Sequence, residues 1–155
     1  MTVLSQIRPT VGRAGMSDAG GEHESGYATT ALNAGTAVCQ TAVVNVLAPP
    51  AAAGDVARII GIVGYDPMVT PTAAPLDFPA YTQFPIIREG TVWVRTEQAL
   101  VLGTTPFCRF VAGGGGAVLG VFRTDADVAS AAVVPNAIVT EVIGTTLAKL
   151  KINTP

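Results

Sequence analysis

From Asn33 onward, apolar and polar residues follow the short periods of β-structure. In LAKLKIN, residues 147–153, Ala148, Leu150 and Ile152 fall on one side and Lys149, Lys151 and Asn153 on the other, which predicts a half-buried strand near the C-terminus. In TVWVR, residues 91–95, Val92 and Val94 share one face while Trp93 and Arg95 share the other. GTAVCQTAVVNVL, residues 35–47, is rich in Val and Thr and reads as strand up to Pro49-Pro50 and the Ala-Ala-Ala-Gly loop. VARIIGIVGY, residues 56–65, is a buried-strand candidate closed by Asp66-Pro67. Pro67, Pro71, Pro75 and Pro79 then exclude both helix and central strand. Ile86-Ile87 leads into Arg88-Glu89-Gly90, where Gly90 is expected to supply the positive φ of a tight turn before TVWVR.

In VAGGGGAVLGVFRTDAD, residues 111–127, four glycines separate two β-prone runs. This pattern predicts a hairpin with Gly113–Gly116 as its loop, Val111 facing Val118 and Phe110 facing Leu119. TDADVASAAVVPNA reads as a turn or short helical piece, with Asp125 able to cap it and Pro135 ending it. No stripe at i, i+3, i+4, i+7 persists for the length of a helix. The fold class is therefore all-β: a small β-barrel or β-sandwich of short antiparallel strands, with an extended N-terminal arm.

The arm is assigned to residues 1–30 and the compact β domain to 31–155. SDAGGEHESGY is polar and glycine-rich and has no period of 2 or 3.6. Ahead of it, Val3, Leu4, Ile7 and Val11 are spaced loosely around Arg8 and Pro9. Such a segment cannot bury these side chains by itself. It is a frayed terminus or an arm that docks on a neighbour, and these four residues are the candidate contacts.

Composition sharpens this picture. The chain has 155 residues, of which 49% are apolar and 13% charged; its mean hydropathy is +0.47. An ordinary soluble domain carries about 25% charged residues. No apolar run reaches the roughly 18 residues of a membrane span, and MTVLSQIRPTVGRAG has no apolar core of a secretory signal. The excess of uncharged apolar residues points to surface that meets other chains. The net charge is −2 and the only lysines are Lys149 and Lys151. No basic patch marks a nucleic-acid partner. Cys39 and Cys108 lie in apolar β-prone segments and read as buried free thiols of a protein made in a reducing cytoplasm.

Catalytic chemistry is not legible. The glycine run lacks the Lys and Ser/Thr of a phosphate loop and the helix that must follow it. His23 sits between Glu22 and Glu24 in GGEHESGY, but chain neighbours do not converge on one point, so it reads as part of a solvated turn. Asp125, Asp127 and Asp66 are too few for a hard cation, which takes 6–8 oxygen ligands, and fit turn or capping roles. No catalytic, cofactor or metal residues are assigned. Tyr81 and Trp93 are candidate anchors at an oligomer interface; the alternative is stacking on a glycan.

The order of pieces then matters: AGM and a small polar stretch, NAGTAVCQ, RIIGIVGYDP, YTQFPIIREGTVWVRTEQAL, TPFCRFVAGGGGAVLGVFRTDAD and LAKLKIN. This succession, from about Gly12 to Ile152, resembles the small capsid decoration proteins of tailed bacteriophages, the structural cement proteins. The resemblance implies a non-enzymatic virion protein, made in the host bacterial cytoplasm, that binds the major capsid protein on the outer surface of a phage head and ties capsomers together. It implies a homodimer or homotrimer, an N-terminal segment reaching along the shell, and neither membrane nor nucleic-acid partner. Another virion or adhesin β module, a tail or fibre part that binds glycan, is the alternative; a small hydrolase is remote.

Overall fold

The computed structural model describes residues 13–17, 22–66, 77–113 and 118–154. The strands are β1 (Glu22–Ala28), β2 (Leu32–Asn33), β3 (Ala37–Gln40), β4 (Leu47–Ala48), β5 (Ile59–Val63), β6 (Asp77–Phe78), β7 (Thr82–Arg95), β8 (Phe107–Arg109), β9 (Phe122–Arg123), β10 (Ala131–Val133), β11 (Ala137–Ile143) and β12 (Leu147–Asn153). The one helix among the described residues is the single turn α1 (Ala53–Val56), in the stretch expected to be loop.

A seven-stranded sheet runs β11-β12-β7-β5-β3-β4, with β1 also paired to β7. A three-stranded sheet, β10-β8-β9, and the two-stranded β2-β6 complete the fold. All pairings between named strands are antiparallel. The sheets stay open and pack as layers, so the sandwich describes the fold and the barrel does not.

β7 organises the large sheet. Its first half pairs with β1 on one side, from Ala28↔Thr82 to Glu22↔Glu89, and with β5 on the other, through Ile62↔Ile87 and Val63↔Ile86. Its second half pairs with β12, from Asn153↔Glu89 to Leu147↔Arg95. Glu89 pairs with Glu22 of β1 on one edge and with Asn153 of β12 on the other, so β5 and β12 follow one another along the edge of β7 opposite β1, and Glu89 is the junction. Gly90 has the expected positive φ of 107°, but the chain does not reverse there. Ladders on both sides of the junction keep the strand running, and the local irregularity shifts its phase. Ile87 faces the same core as Val92 and Val94, an odd offset that an unbroken period of 2 forbids.

Two cores lie on opposite faces of this sheet. One gathers Ile62, Ile87, Val92, Val94, Phe122 and Leu150 between the large and three-stranded sheets. The other gathers Leu32, Val38, Val63, Phe78, Phe84 and Ile86 beneath β2-β6. Strands buried on both faces read as continuous apolar runs, which is why IIGIV in β5 shows no alternation. β12 alternates as expected, with Ala148, Leu150 and Ile152 buried and Lys151 and Asn153 exposed.

Three local expectations need correction. Residues 35–47 are not one strand: β3 and β4 are joined by a turn in which Asn45 has φ 64°. The Gln40 amide clamps that turn by donating to the carbonyls of Val43 at 2.8 Å and Val46 at 3.1 Å. Val43 and Val44 are left exposed at its tip. His23 is not in a turn, because β1 holds Glu22–Ala28 against β7 within the stretch assigned to the arm. The glycine hairpin has the expected direction but not the expected register. Phe107 faces Arg123 and Cys108 faces Phe122, one residue out of step with a Val111–Val118 pairing. Burial decides the register, because this slip places Cys108 and Phe122, both fully buried, on the core face together. Residues 114–117 of the loop lie outside the described residues.

Candidate functional site

The four apolar residues of the arm, Val3, Leu4, Ile7 and Val11, lie outside the described residues. The described chain begins at Arg13 and is at once part of the sheet. Gly15 N–H donates to the Trp93 carbonyl at 2.6 Å, Trp93 N–H donates to the Met16 carbonyl at 2.8 Å, and Tyr65 N–H donates to the Gly15 carbonyl at 2.8 Å. Ser17 bridges Val92. The AGM motif therefore bonds both to the second half of β7 and to the chain just beyond β5. Gly15 has φ 81°, and a Cβ there would lie 2.7 Å from Tyr65 N and 2.8 Å from Val63 O. Only glycine fits.

Trp93 is 7% exposed, and the Lys149 ammonium lies 4.8 Å from its ring centroid. Its ring is packed within this chain and offers little surface to another. Tyr81, by contrast, is 70% exposed and has φ 65°. Tyr81 immediately precedes β7 and Trp93 lies near its far end; one side chain is at the surface and the other in the core. His23 Nε2 lies 3.1 Å from Ser17 Oγ, and Arg88 donates to Glu24 at 3.0 Å. Among the described residues no three His, Cys, Asp or Glu side chains are grouped as metal ligands.

The most organised polar cluster is one that the sequence did not reveal. Arg109 of β8 is 4% exposed and Arg123 of β9 is 8% exposed. They are diagonal neighbours on the face of the small sheet opposite Cys108 and Phe122. Glu97, just past β7, bridges them: Arg109 Nη2 donates to Oε2 at 2.9 Å and Arg123 Nη1 donates to the same oxygen at 2.6 Å. The TDAD turn closes the cluster. Asp125 Oδ1 accepts from Arg123 Nη2 at 2.7 Å, and Asp127 Oδ2 accepts from Arg123 Nη1 at 3.1 Å and from Arg109. Asp125 also keeps the turn role expected of it, accepting from Asp127 N–H at 3.0 Å. The hydrogen bonds it donates to Glu97 and Asp127 hold the Arg109 guanidinium above its usual pKa range. The Arg123 guanidinium and the Gln98 amide hold Asp125 below its usual range. The available signal was two arginines in apolar strand sequence with TDAD nearby: a buried guanidinium requires carboxylates.

This ionic base carries a strained turn. Asp127, Val128 and Ala129 have consecutive φ values of 45°, 52° and 65°. Left-handed backbone costs of order 1–3 kcal/mol at a non-glycine residue, and β-branched Val tolerates it worst. Ser130 N–H closes the turn on the Ala126 and Asp127 carbonyls, at 2.9 and 3.1 Å. Val128 at the tip is 99% exposed.

Other apolar side chains are displayed in groups. Val101, Leu102 and Ile138 are exposed together where Gly103 and Thr104 hydrogen-bond to Val139. Val111 and Val118 flank the glycine loop. Beside them lies an apolar cleft of ≈ 490 Å³, walled by Leu32, Pro49, Ala51, Ala112, Val118 and Leu119. Among the described residues no charged side chain lines it. Such a surface can bind protein through shape and apolar contact.

Comparison with known proteins agrees with this surface chemistry. No curated protein sequence matches the chain. Among solved structures, a chain from "The capsid of Myoviridae Phage XM1" superposes with a TM-score of 0.72 at 14% identity, covering 99% of this chain and 98% of that one; at that identity the likeness is one of fold. A chain from "The crystal structure of head fiber gp8.5 N base in bacteriophage phi29" gives a TM-score of 0.41 at 12% identity, covering 85% and 93%, too low to bear on the fold. The profile of the family described as "Structural cement protein (E217 gp24/Pam3 gp6)" matches residues 5–153. An open antiparallel β fold with displayed apolar side chains, matched over nearly its whole length, belongs to the structural cement protein family of phage capsids.

Proposed function

We propose that this virion protein sits on the outer surface of a phage head, ties neighbouring capsomers together without catalysing a reaction, and associates with further copies of itself. The whole-length family match carries the reading, since association with the capsid is what that family does. The surface supports it: apolar side chains at Val44, Tyr81, Leu102, Val128 and Ile138 are set on short, hydrogen-bonded turns and strands. Of the two aromatic candidates for an oligomer interface, Tyr81 is the accessible one and Trp93 serves the fold. The free thiols of Cys39 and Cys108 suit synthesis in a bacterial cytoplasm.

Residues 1–12 attach to the shell or to a neighbouring copy through Val3, Leu4, Ile7 and Val11. Ordering such a segment costs about 1–2 kcal/mol per residue, and burying four apolar side chains returns roughly 1.5–3 kcal/mol each. Strand addition to a neighbour's sheet edge would also satisfy its backbone groups. The test is binding to undecorated heads, with circular dichroism as the folding control. A chain lacking residues 1–12 should fold normally, because the Gly15–Trp93 bonds remain, and should bind heads more weakly. Full-strength binding would place the contact on the β domain instead.

A further inference from the structure

We infer that the turn over residues 125–130 is a charge-held latch: the ionised Asp127 carboxylate clamps a left-handed loop, and neutralising it lets the loop open while the rest of the domain stays folded. Asp127, Val128 and Ala129 are left-handed in succession. L-residues avoid that region, β-branched valine most of all, and occupy it as single residues rather than in runs. Packing does not compensate at the tip, because the Val128 side chain is exposed. The turn closes through Ser130 N–H, which donates to the Ala126 and Asp127 carbonyls, and through Ala131 N–H, which donates to Ala126 at 3.0 Å. What holds these bonds against the backbone strain is the charge at the base.

The charged groups around that base are Arg109 from β8, Arg123 from β9, Glu97 past the end of β7, and Asp125 and Asp127 in the turn. Asp127 Oδ2 accepts from both guanidinium groups, and such bonds are strong only while the carboxylate is ionised. A neutral residue at 127 does not strand the arginines. Glu97 still accepts from both, and Asp125 still accepts from Arg123. The cost of an unpaired buried cation is therefore avoided, and the release stays local. Protonation in acid is the natural neutralising event, and its sign is fixed: the clamp is present while the carboxylates are ionised and is lost as pH falls.

Opening reaches one step beyond the turn. The Ser130 carbonyl accepts from Phe110 N–H at 3.0 Å and Val111 N–H at 3.3 Å, so the chain just past β8 is tied to the same loop. One carboxylate thus sets two neighbouring segments. Val111 and Val128, both exposed apolar side chains, are held in fixed positions only while it is charged.

The experiment is residue-resolved amide hydrogen exchange on the full-length chain at neutral pH, beside D127N, D127N/A129G and E141Q. Asparagine accepts left-handed backbone as aspartate does, so D127N removes the charge and keeps the conformational preference. D127N should speed exchange at Phe110, Val111, Ser130 and Ala131 at least tenfold. Val63 and Trp93, whose amides donate to Thr36 and Met16 at 2.9 and 2.8 Å, should stay protected as in wild type. Glycine at 129 takes the positive φ without strain, so D127N/A129G should recover most of the lost protection. E141Q, which removes a carboxylate from β11, should leave all four amides unchanged. Wild type brought to about pH 3 should show the D127N pattern once intrinsic exchange rates are corrected for. Wild-type protection in D127N would overturn the inference, and so would D127N/A129G exchanging as fast as D127N, or acceleration in E141Q. Loss of protection throughout D127N, Val63 and Trp93 included, would overturn it as well, because the opening would then be global.

Discussion

Gly15 and Trp93 share one hydrogen-bonded seam: the glycine donates to the tryptophan carbonyl at 2.6 Å, and the tryptophan N–H returns to Met16 at 2.8 Å. This seam holds the start of the described chain, from Arg13, against the sheet. G15A would put a methyl 2.7 Å from Tyr65 N and force alanine to φ 81°. The clash and the left-handed strain together should cost roughly 3 kcal/mol. For a domain of this size that lowers Tm by about 6–12 °C, measurable by thermal circular dichroism. A wild-type Tm for G15A would mean that the seam contributes little to the fold.

Glu97 is the shared acceptor of two buried arginines, and E97Q leaves both short of a charged partner. Breaking a buried pair from one side typically costs ~3–5 kcal/mol; Glu97 is partly exposed, which places E97Q near the lower end. Its urea midpoint should fall accordingly with an unchanged slope. R109M together with E97L, which removes the bridge from both sides, should be less damaging than the sum of the two single changes. Strict additivity would show that the two residues are not coupled.

The Asp125 carboxyl is held below its ordinary value of 3.8 mainly by its hydrogen bond from Arg123. Asp55 is held low as well, first by the Ala51 N–H and also by Arg58. A depressed folded pKa means that the unfolded chain takes up protons first as pH falls. The contribution of these groups is present above pH 3.8 and is lost as pH drops through the lower folded values. Melting temperature should therefore be flat from neutral pH to about 5 and fall below about 4. D125N should lose part of that acid slope. An identical slope in D125N would show that its pairing with Arg123 contributes nothing to stability.

Much of the architecture was written in local pattern. Period-2 alternation in LAKLKIN gave β12 its inward face, and Val92 and Val94 were assigned to one face for the same reason. An isolated strand cannot, however, specify which of two opposed surfaces will be covered. Val63 and Ile62 both became buried because sheets close on either side of β5, a fact of packing that no period reports. Gly90 shows the same limit. Its positive φ was legible from residue type, but whether the chain turned or continued depended on β12, which is paired across the junction from the far end of the sequence.

Composition and order were enough to indicate an all-β chain with more apolar surface than a solitary domain needs, and to point to the cement family. Only the tertiary structure brought Glu97 to Arg109 and Arg123, and only it seated Gly15 against Trp93. It also held Asp127, Val128 and Ala129 left-handed. Alternation and turn chemistry are local, set by dihedral preferences over a few residues. Charge pairing across sheets and strain imposed from below arise only when distant segments are packed together, and there burial makes the cost of an unpaired charge large enough to choose the geometry.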